Sequence, residues 1–98
     1  MVKLKWNDKK RESNRQKHGL DFLDADFVLL SPYRFDLEST RNGEQRIQSF
    51  AYVFDVLMVL TVVYVPGEEW QHIISFRPAK RSEKDIYYDW LENDFDES

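Results

Sequence analysis

Alternating apolar and polar positions predict a series of strands in the second half of the chain. Residues 46–54 alternate, which is typical of a strand with one buried face. Its two faces would carry Ile47, Ser49, Ala51 and Val53 on one side and Gln48, Phe50, Tyr52 and Phe54 on the other. The apolar run 56–65, about half a membrane span in length, predicts a central strand. A turn at 66–69 leads to another strand at 70–76, so the links are short and an antiparallel meander is expected.

A helix without an apolar face is predicted near the start of the chain. Asn7 or Asp8 can cap its first turn, it would run to about His18, and Gly19 suits the left-handed residue that ends it. Residues 7–19 contain no aliphatic or aromatic side chain. Such a helix builds no core, so it either stands in solvent or docks a polar ligand.

The remaining segments complete an α+β pattern. Residues 21–30 are amphipathic and predict a second helix, and residues 34–44 are polar with a turn at Asn42-Gly43. Ser82 is expected to open a last helix, with Asp85 completing a capping box. The predicted fold has two N-terminal helices, an antiparallel sheet of about four strands, to which residues 3–6 can add a short edge strand, and a C-terminal helix. The expected buried residues are Phe22, Val59, Val63, Ile74 and Trp90.

Composition and charge limit the classes of protein that fit. The chain has 98 residues, which indicates one domain over 1–98, and it has no cysteine and only two histidines, so a thiolate or zinc site is not expected. The N-terminus lacks an apolar signal core, and we expect a cytoplasmic protein without membrane contact. The net charge of −4 is unevenly spread, with seven cations against two acids in residues 1–20 and four against nine in residues 61–98. The basic end can meet a polyanion, or both ends are merely solvated faces.

Residues 6–22 and 73–79 contain ordered motifs that resemble those of the BrnT family of toxins. The first lies in residues 6–22 and the second in residues 73–79, followed by Glu83 and Tyr87. Between them, residues 44–46 resemble a glutamate–arginine pair and residues 62–64 a strand of the family. The matching positions of the first motif are Trp6, Lys10, Asn14, Lys17, His18, Gly19 and Phe22, followed by Ala25. Three positions depart from the family pattern: Asn7 replaces an aspartate, His72 an arginine, and Gly67 a frequent basic residue.

This resemblance implies a fold and a function. The family is described as RelE-like in fold and as a ribonuclease toxin of type II toxin–antitoxin systems, which would inhibit translation. The implied partners are an RNA substrate and a cognate antitoxin with a ribbon-helix-helix DNA-binding domain. Operator DNA would be bound only through that antitoxin. No cofactor is implied.

Cleavage of RNA without a metal needs a base, cations around the phosphorane and a proton donor. We assign these roles to Lys17, His18, Arg46 and Arg77, and expect the four to converge around one phosphate. His18 is the candidate for proton transfer, because imidazole titrates near neutral pH. Tyr64 and His72 are possible auxiliary residues, and the expected RNA-binding cations are Lys9, Lys10, Arg15 and Arg81.

Structural roles compete with each of these assignments. Arg77 can pair with Glu83 or Asp85, Arg46 can form a cross-strand pair, and Lys17 and His18 can complement the dipole of the helix that they end. Two other functions also stay open. One is a catalytically inactive module that binds only a protein partner or acts as a co-repressor; the other is an acidic adaptor without RNA contact.

Overall fold

The computed structural model describes residues 3–94, which form one five-stranded mixed sheet and three α-helices. The strands are β1 (Lys3–Lys5), β2 (Phe35–Arg41), β3 (Glu44–Val53), β4 (Met58–Val65) and β5 (Trp70–Pro78). The helices are α1 (Asp8–His18), α2 (Asp26–Leu29) and α3 (Arg81–Asn93), with a 3-10 turn at Phe22–Asp24. None of the helices within residues 3–94 is long and apolar enough to cross a membrane.

The sheet has the order β1-β5-β4-β3-β2. Strands β3 to β5 form the expected antiparallel meander and β2 extends it by one strand, whereas β1 pairs in parallel with β5, so the sheet is mixed. Strand β2 lies in the segment 34–44, which was expected to be a polar stretch with a turn and not a strand. It pairs with β3 through a tight turn in which Asn42 and Gly43 have φ values of 53° and 79°, the conformation that two-residue hairpins favour. Because β2 is an edge strand that is exposed along nearly its whole length, its sequence shows no apolar alternation.

The two faces of the sheet carry separate cores. On the first, which we call the α2 face, buried side chains of β3, β4 and β5 pack against Phe22, Ala25, Val28 and Leu29. On the second, the α3 face, Phe50 and Val59 pack against Tyr87 of α3. The predicted alternation of residues 47–53 is confirmed by this division. Of the residues expected in the core, Phe22 and Val59 are buried, whereas Val63, Ile74 and Trp90 are half-buried.

The first helix has the predicted ends. The side chain of Asn7 accepts hydrogen bonds from the backbone N–H groups of Lys9 and Lys10 at 2.9 and 3.2 Å. Gly19 ends the helix with a φ of 71°, and its N–H donates to the carbonyl of Arg15 at 2.8 Å. A side chain at Gly19 would strain this left-handed position, which explains the glycine there.

The second and third helices differ from their predictions. Residues 21–30 form a 3-10 turn and a single short α2 rather than one helix, and Asp21 caps the turn by accepting from the N–H of Leu23 at 3.0 Å. Helix α3 begins at Arg81 rather than Ser82. Its reciprocal cap is Glu83, not Asp85: the carboxylate accepts from the N–H of Lys80 at 2.7 Å. Because the N-cap is Lys80, the third helical residue is Glu83 rather than Asp85.

Candidate functional site

Half of the α3 face is left uncovered by the described residues. Helix α3 covers the part around Phe50 and Val59, while the opposite part carries Val65 and His72, which pair with each other and are only half-buried. Lys5 pairs with His72 and extends the same row across β1. We call this exposed region the open face.

Lysines border the open face along β1 and α1. Lys3 and Lys5 alternate with Leu4, which packs into the core on the α2 face, so both lysines lie on the α3 side of the sheet. In α1, Lys10 and Lys17 are seven residues apart and therefore lie on one stripe of the helix. We call these four residues the lysine stripe. The ion pairs formed by residues 3–94 all use arginine, so no described acid neutralises the stripe.

Asn14 fixes α1 against the outer edge of β5. Its side-chain amide donates to the carbonyl of Phe76 at 2.7 Å and its oxygen accepts from the N–H of the same residue at 3.2 Å. The amide also donates to the carbonyl of Leu20 at 3.0 Å. One side chain thus forms the hydrogen bonds with the backbone N–H and C=O of Phe76 that a neighbouring strand would otherwise form. This explains how a helix without an apolar face docks, and it places His18 beside the end of β5.

His18 lies in a cationic, partly desolvated position at the end of α1. Burial lowers the pKa of His18 below 6.5, and the charges of Lys17 and Arg77 lower it further. The imidazole is therefore largely neutral at neutral pH, which is the form that can accept a proton. The structure thus brings Lys17, His18 and Arg77 into one electrostatic neighbourhood.

Arg77 is held by the first turn of α3. Its guanidinium donates two hydrogen bonds to Glu83, at 2.8 and 3.0 Å, and Gln48 donates a further bond to the same carboxylate at 2.8 Å. The bond from Arg77 lowers the pKa of Glu83 to about 2, so the carboxylate stays charged at any pH at which the protein functions. The ion-pair alternative for Arg77 is therefore realised, with Glu83 rather than Asp85 as the partner.

Arg46 has a much weaker counter-ion. Its closest carboxylate is that of Glu44 at 3.4 Å, and its Nε is buried without a hydrogen-bond partner in the described part of the chain. By contrast, Arg34 forms a two-point pair with Asp36 at 2.9 and 3.0 Å. Arg46 is therefore an arginine with capacity to bind an added anion.

The four residues expected around one phosphate fall into two groups. Strands β3 and β5 both run antiparallel to β4, so the start of β3 and the end of β5 lie at opposite ends of the sheet. Arg77 pairs with Thr61 of β4, which in turn pairs with Phe50 of β3. Phe50 is four residues along β3 from Arg46. Strand spacing and rise then separate the Cα atoms of Arg46 and Arg77 by roughly 16 Å. The expectation of a single four-residue cluster was wrong because these two strands are parallel to each other.

The other candidate residues are dispersed. Tyr64 lies in the core of the α2 face, where its hydroxyl accepts from Arg34 at 2.8 Å, so it is on the opposite side of the sheet from Arg46 and Arg77. His72 is in the open face. The remaining cations are exposed on helices: Lys9 and Arg15 on α1, the latter 3.2 Å from Glu12, and Arg81 at the start of α3.

Two residues that organise the site, Asn14 and Gln48, had no role predicted from the sequence, and Glu83 was predicted only as one of two alternative partners of Arg77. Asn14 docks α1, while Glu83 and Gln48 hold Arg77. Asn14 and Glu83 belong to the motifs described above, which is the signal that could have identified them. Nothing marks Gln48, because its contact with Glu83 depends on how α3 crosses the sheet. Within residues 3–94, no three His, Cys, Asp or Glu side chains are grouped as metal ligands.

The comparison with protein families identifies the family to which the chain belongs. The family model described as "Ribonuclease toxin, BrnT, of type II toxin-antitoxin system" matches residues 6–83, which include α1, the whole meander and the first turn of α3. The class is thus that of ribonuclease toxins. Since the match covers about four fifths of the sequence, the chain belongs to the BrnT family. Among curated proteins, the comparison found no match.

Proposed function

We propose that this chain is a metal-independent endoribonuclease that cleaves RNA, inhibits translation and is neutralised by a cognate antitoxin. The observation that carries the proposal is the junction of α1 and β5, where a histidine with a lowered pKa lies among cations that border an open sheet face. Family membership supports the same activity. The relation in fold to RelE toxins, and the ribbon-helix-helix domain of the antitoxin, belong to this proposal.

In the proposed reaction, neutral His18 accepts the proton of a ribose 2′-hydroxyl. The 2′-oxygen attacks the adjacent phosphorus, and the 5′-oxygen leaves with a proton that we assign to the ammonium of Lys17. The products are a 2′,3′-cyclic phosphate and a free 5′-hydroxyl. Arg77 stabilises the charge that accumulates on the phosphorane, while Glu83 fixes the orientation of its guanidinium.

Arg46 and the other residues of the lysine stripe (Lys3, Lys5 and Lys10) bind neighbouring phosphates in this proposal, whereas Lys17 acts at the reacting one. The separation of Arg46 from Arg77 by roughly 16 Å, obtained from strand geometry, requires an RNA that extends across several nucleotides. For a single-stranded RNA, each phosphate that a cationic side chain neutralises contributes about −0.7 to the slope of log affinity against log salt concentration. We expect the slope for a non-cleavable oligonucleotide to fall by about one such unit in Arg46→Ala.

Cleavage of a labelled RNA by purified protein in excess EDTA tests the activity. Arg77→Ala should slow single-turnover cleavage by about 10²–10³-fold, and His18→Ala by about 10²–10⁴-fold. Lys84→Ala, an exposed change on α3, is the matched control and should cleave like the wild type. Equal rates in all variants would remove the catalytic assignment, as would a product without a cyclic phosphate.

A catalytically inactive binding module is the second candidate. The favouring observation is that Arg77 is already paired with Glu83, and that Gly67 leaves no room for the basic residue frequent at this position in the family. A Cβ at Gly67 would lie 2.4 Å from the carbonyl oxygen of Trp70. Under this reading the wild type cleaves no RNA and does not slow growth, yet still binds the antitoxin.

A further inference from the structure

A groove with apolar walls runs between α2 and α3, around the turn that joins β3 to β4. It consists of two adjoining cavities of about 410 and 400 Å³, which share Tyr33, Tyr52 and Phe54 in their walls. Phe27 and Leu30 of the α2 region line the first cavity. None of these residues belongs to the candidate ribonuclease site.

Large apolar side chains are exposed along this groove. The exposed fractions of Phe27, Leu30 and Phe54 are 49, 55 and 65%. Contiguous apolar surface of this kind is typical of a site that a protein partner covers. Aromatic side chains in a pocket are also the residues that most often dominate the free energy of association.

The charged residues in the walls of the groove are acidic. The residues that line the first cavity include Asp26 and Asp55. A third, smaller cavity on the other side of Phe27 and Leu30 is lined by Asp24 as well as Asp26. Asp26 has a buried carboxylate oxygen, Oδ1, without a hydrogen-bond donor among the described residues. A half-buried carboxylate without a described donor, in the wall of an apolar groove, is paired best by a cationic donor.

We propose that this groove is the docking site for a segment of the antitoxin that carries apolar side chains around one arginine or lysine. The apolar side chains would fill the two cavities, and the cation would donate to Asp26. The charge of the groove selects this occupant, because an acidic segment would be repelled by Asp24, Asp26 and Asp55. The same cationic segment would be repelled by the lysine stripe. The inference rests on the proposed function only for the identity of the partner.

Titration calorimetry with the full-length cognate antitoxin of the proposed function tests this docking site. Asp26→Asn keeps the shape of the side chain and removes its charge, and should weaken binding about 10-fold or more. Phe27→Ala should weaken binding about 30-fold, as expected for an aromatic anchor. Glu69→Gln, an exposed change in the turn between β4 and β5, is the control of matched charge and should bind like the wild type.

Two outcomes would overturn the proposal. One is unchanged affinity in both groove variants; the other is a wild-type dimer in sedimentation that Phe27→Ala dissociates, because a second copy would then occupy the groove. RNA cleavage is measured in parallel and should be unchanged in both variants. If the wild type cleaves no RNA, the proposed enzymatic function fails, while weakened binding by the groove variants still supports the docking site.

Discussion

Glu83→Gln is the substitution whose effect can be worked out most fully from the structure. The carboxylate accepts two hydrogen bonds from Arg77, one from Gln48 and one from the N–H of Lys80. Glutamine retains the size of the side chain but loses the charge and one acceptor oxygen. The change therefore weakens the ion pair, the cap of α3 and the contact between α3 and β3 together.

The magnitude follows from the pKa of Glu83, which falls from an ordinary value of 4.5 to about 2. At about 1.36 kcal/mol per pH unit, this shift corresponds to at most about 3–4 kcal/mol of stability. The side chain is 18% exposed, so solvent screens part of the interaction, and we expect a loss of about 2 kcal/mol. For a domain of this size, the midpoint of thermal unfolding should fall by about 8–16 °C.

The dependence on pH separates the charge from other effects of the substitution. A carboxylate with a lowered pKa in the folded state stabilises the protein above its unfolded pKa, and loses that contribution as pH falls through the folded value. The difference between wild type and Glu83→Gln in urea unfolding should therefore be full at pH 7 and shrink between about pH 4.5 and 2. The exposed Glu92→Gln is the control and should change stability by less than about 0.5 kcal/mol. A difference that is equal at pH 7 and pH 2.5 would refute the electrostatic reasoning.

Three further predictions concern other parts of the chain. Asn14→Ala should lower the free energy of unfolding by about 2–3 kcal/mol in urea titration, because the buried N–H and C=O of Phe76 lose their partner; a loss below about 0.5 kcal/mol would contradict this. Gly67→Ala should lower it by about 1–3 kcal/mol, since the new Cβ would lie 2.4 Å from the carbonyl oxygen of Trp70, and an unchanged melting temperature would argue against such crowding. Single-turnover cleavage should increase with pH through a value below 6.5, because the neutral form of His18 is the base, and an increase only above pH 7.5 would exclude this role.

Features decided by a few neighbouring residues could be predicted from the sequence. The cap at Asn7 and the left-handed end at Gly19 are such features, and both are confirmed. The alternation of residues 47–53 is likewise confirmed, because one side of β3 faces each core. Family membership was also correctly inferred from motifs that extend along most of the chain.

Features decided by distant pairing could not be predicted in the same way. Strand β2 has no buried position, and only its hairpin partner defines it. The separation of Arg46 from Arg77 depends on the relative direction of two strands that do not touch each other. The sequence limited the partner of Arg77 to two acids, but the choice of Glu83 required the position of α3.

The parallel pairing of β1 with β5 has a consequence for the order in which surfaces form during synthesis. Lys3 pairs with Trp70, and Asn14 of α1 is bonded to Phe76, so neither β1 nor α1 can join the sheet until β5 has been made. At the usual rate of translation this delay is roughly 3 to 13 s. The residues lining the cavity at α2, from Asp26 to Asp55, leave the ribosome before β5 does. A nascent chain therefore carries the α2 part of the groove proposed for its neutralising partner before β5 brings together the cations proposed to bind RNA, and it gains the α3 part only afterwards.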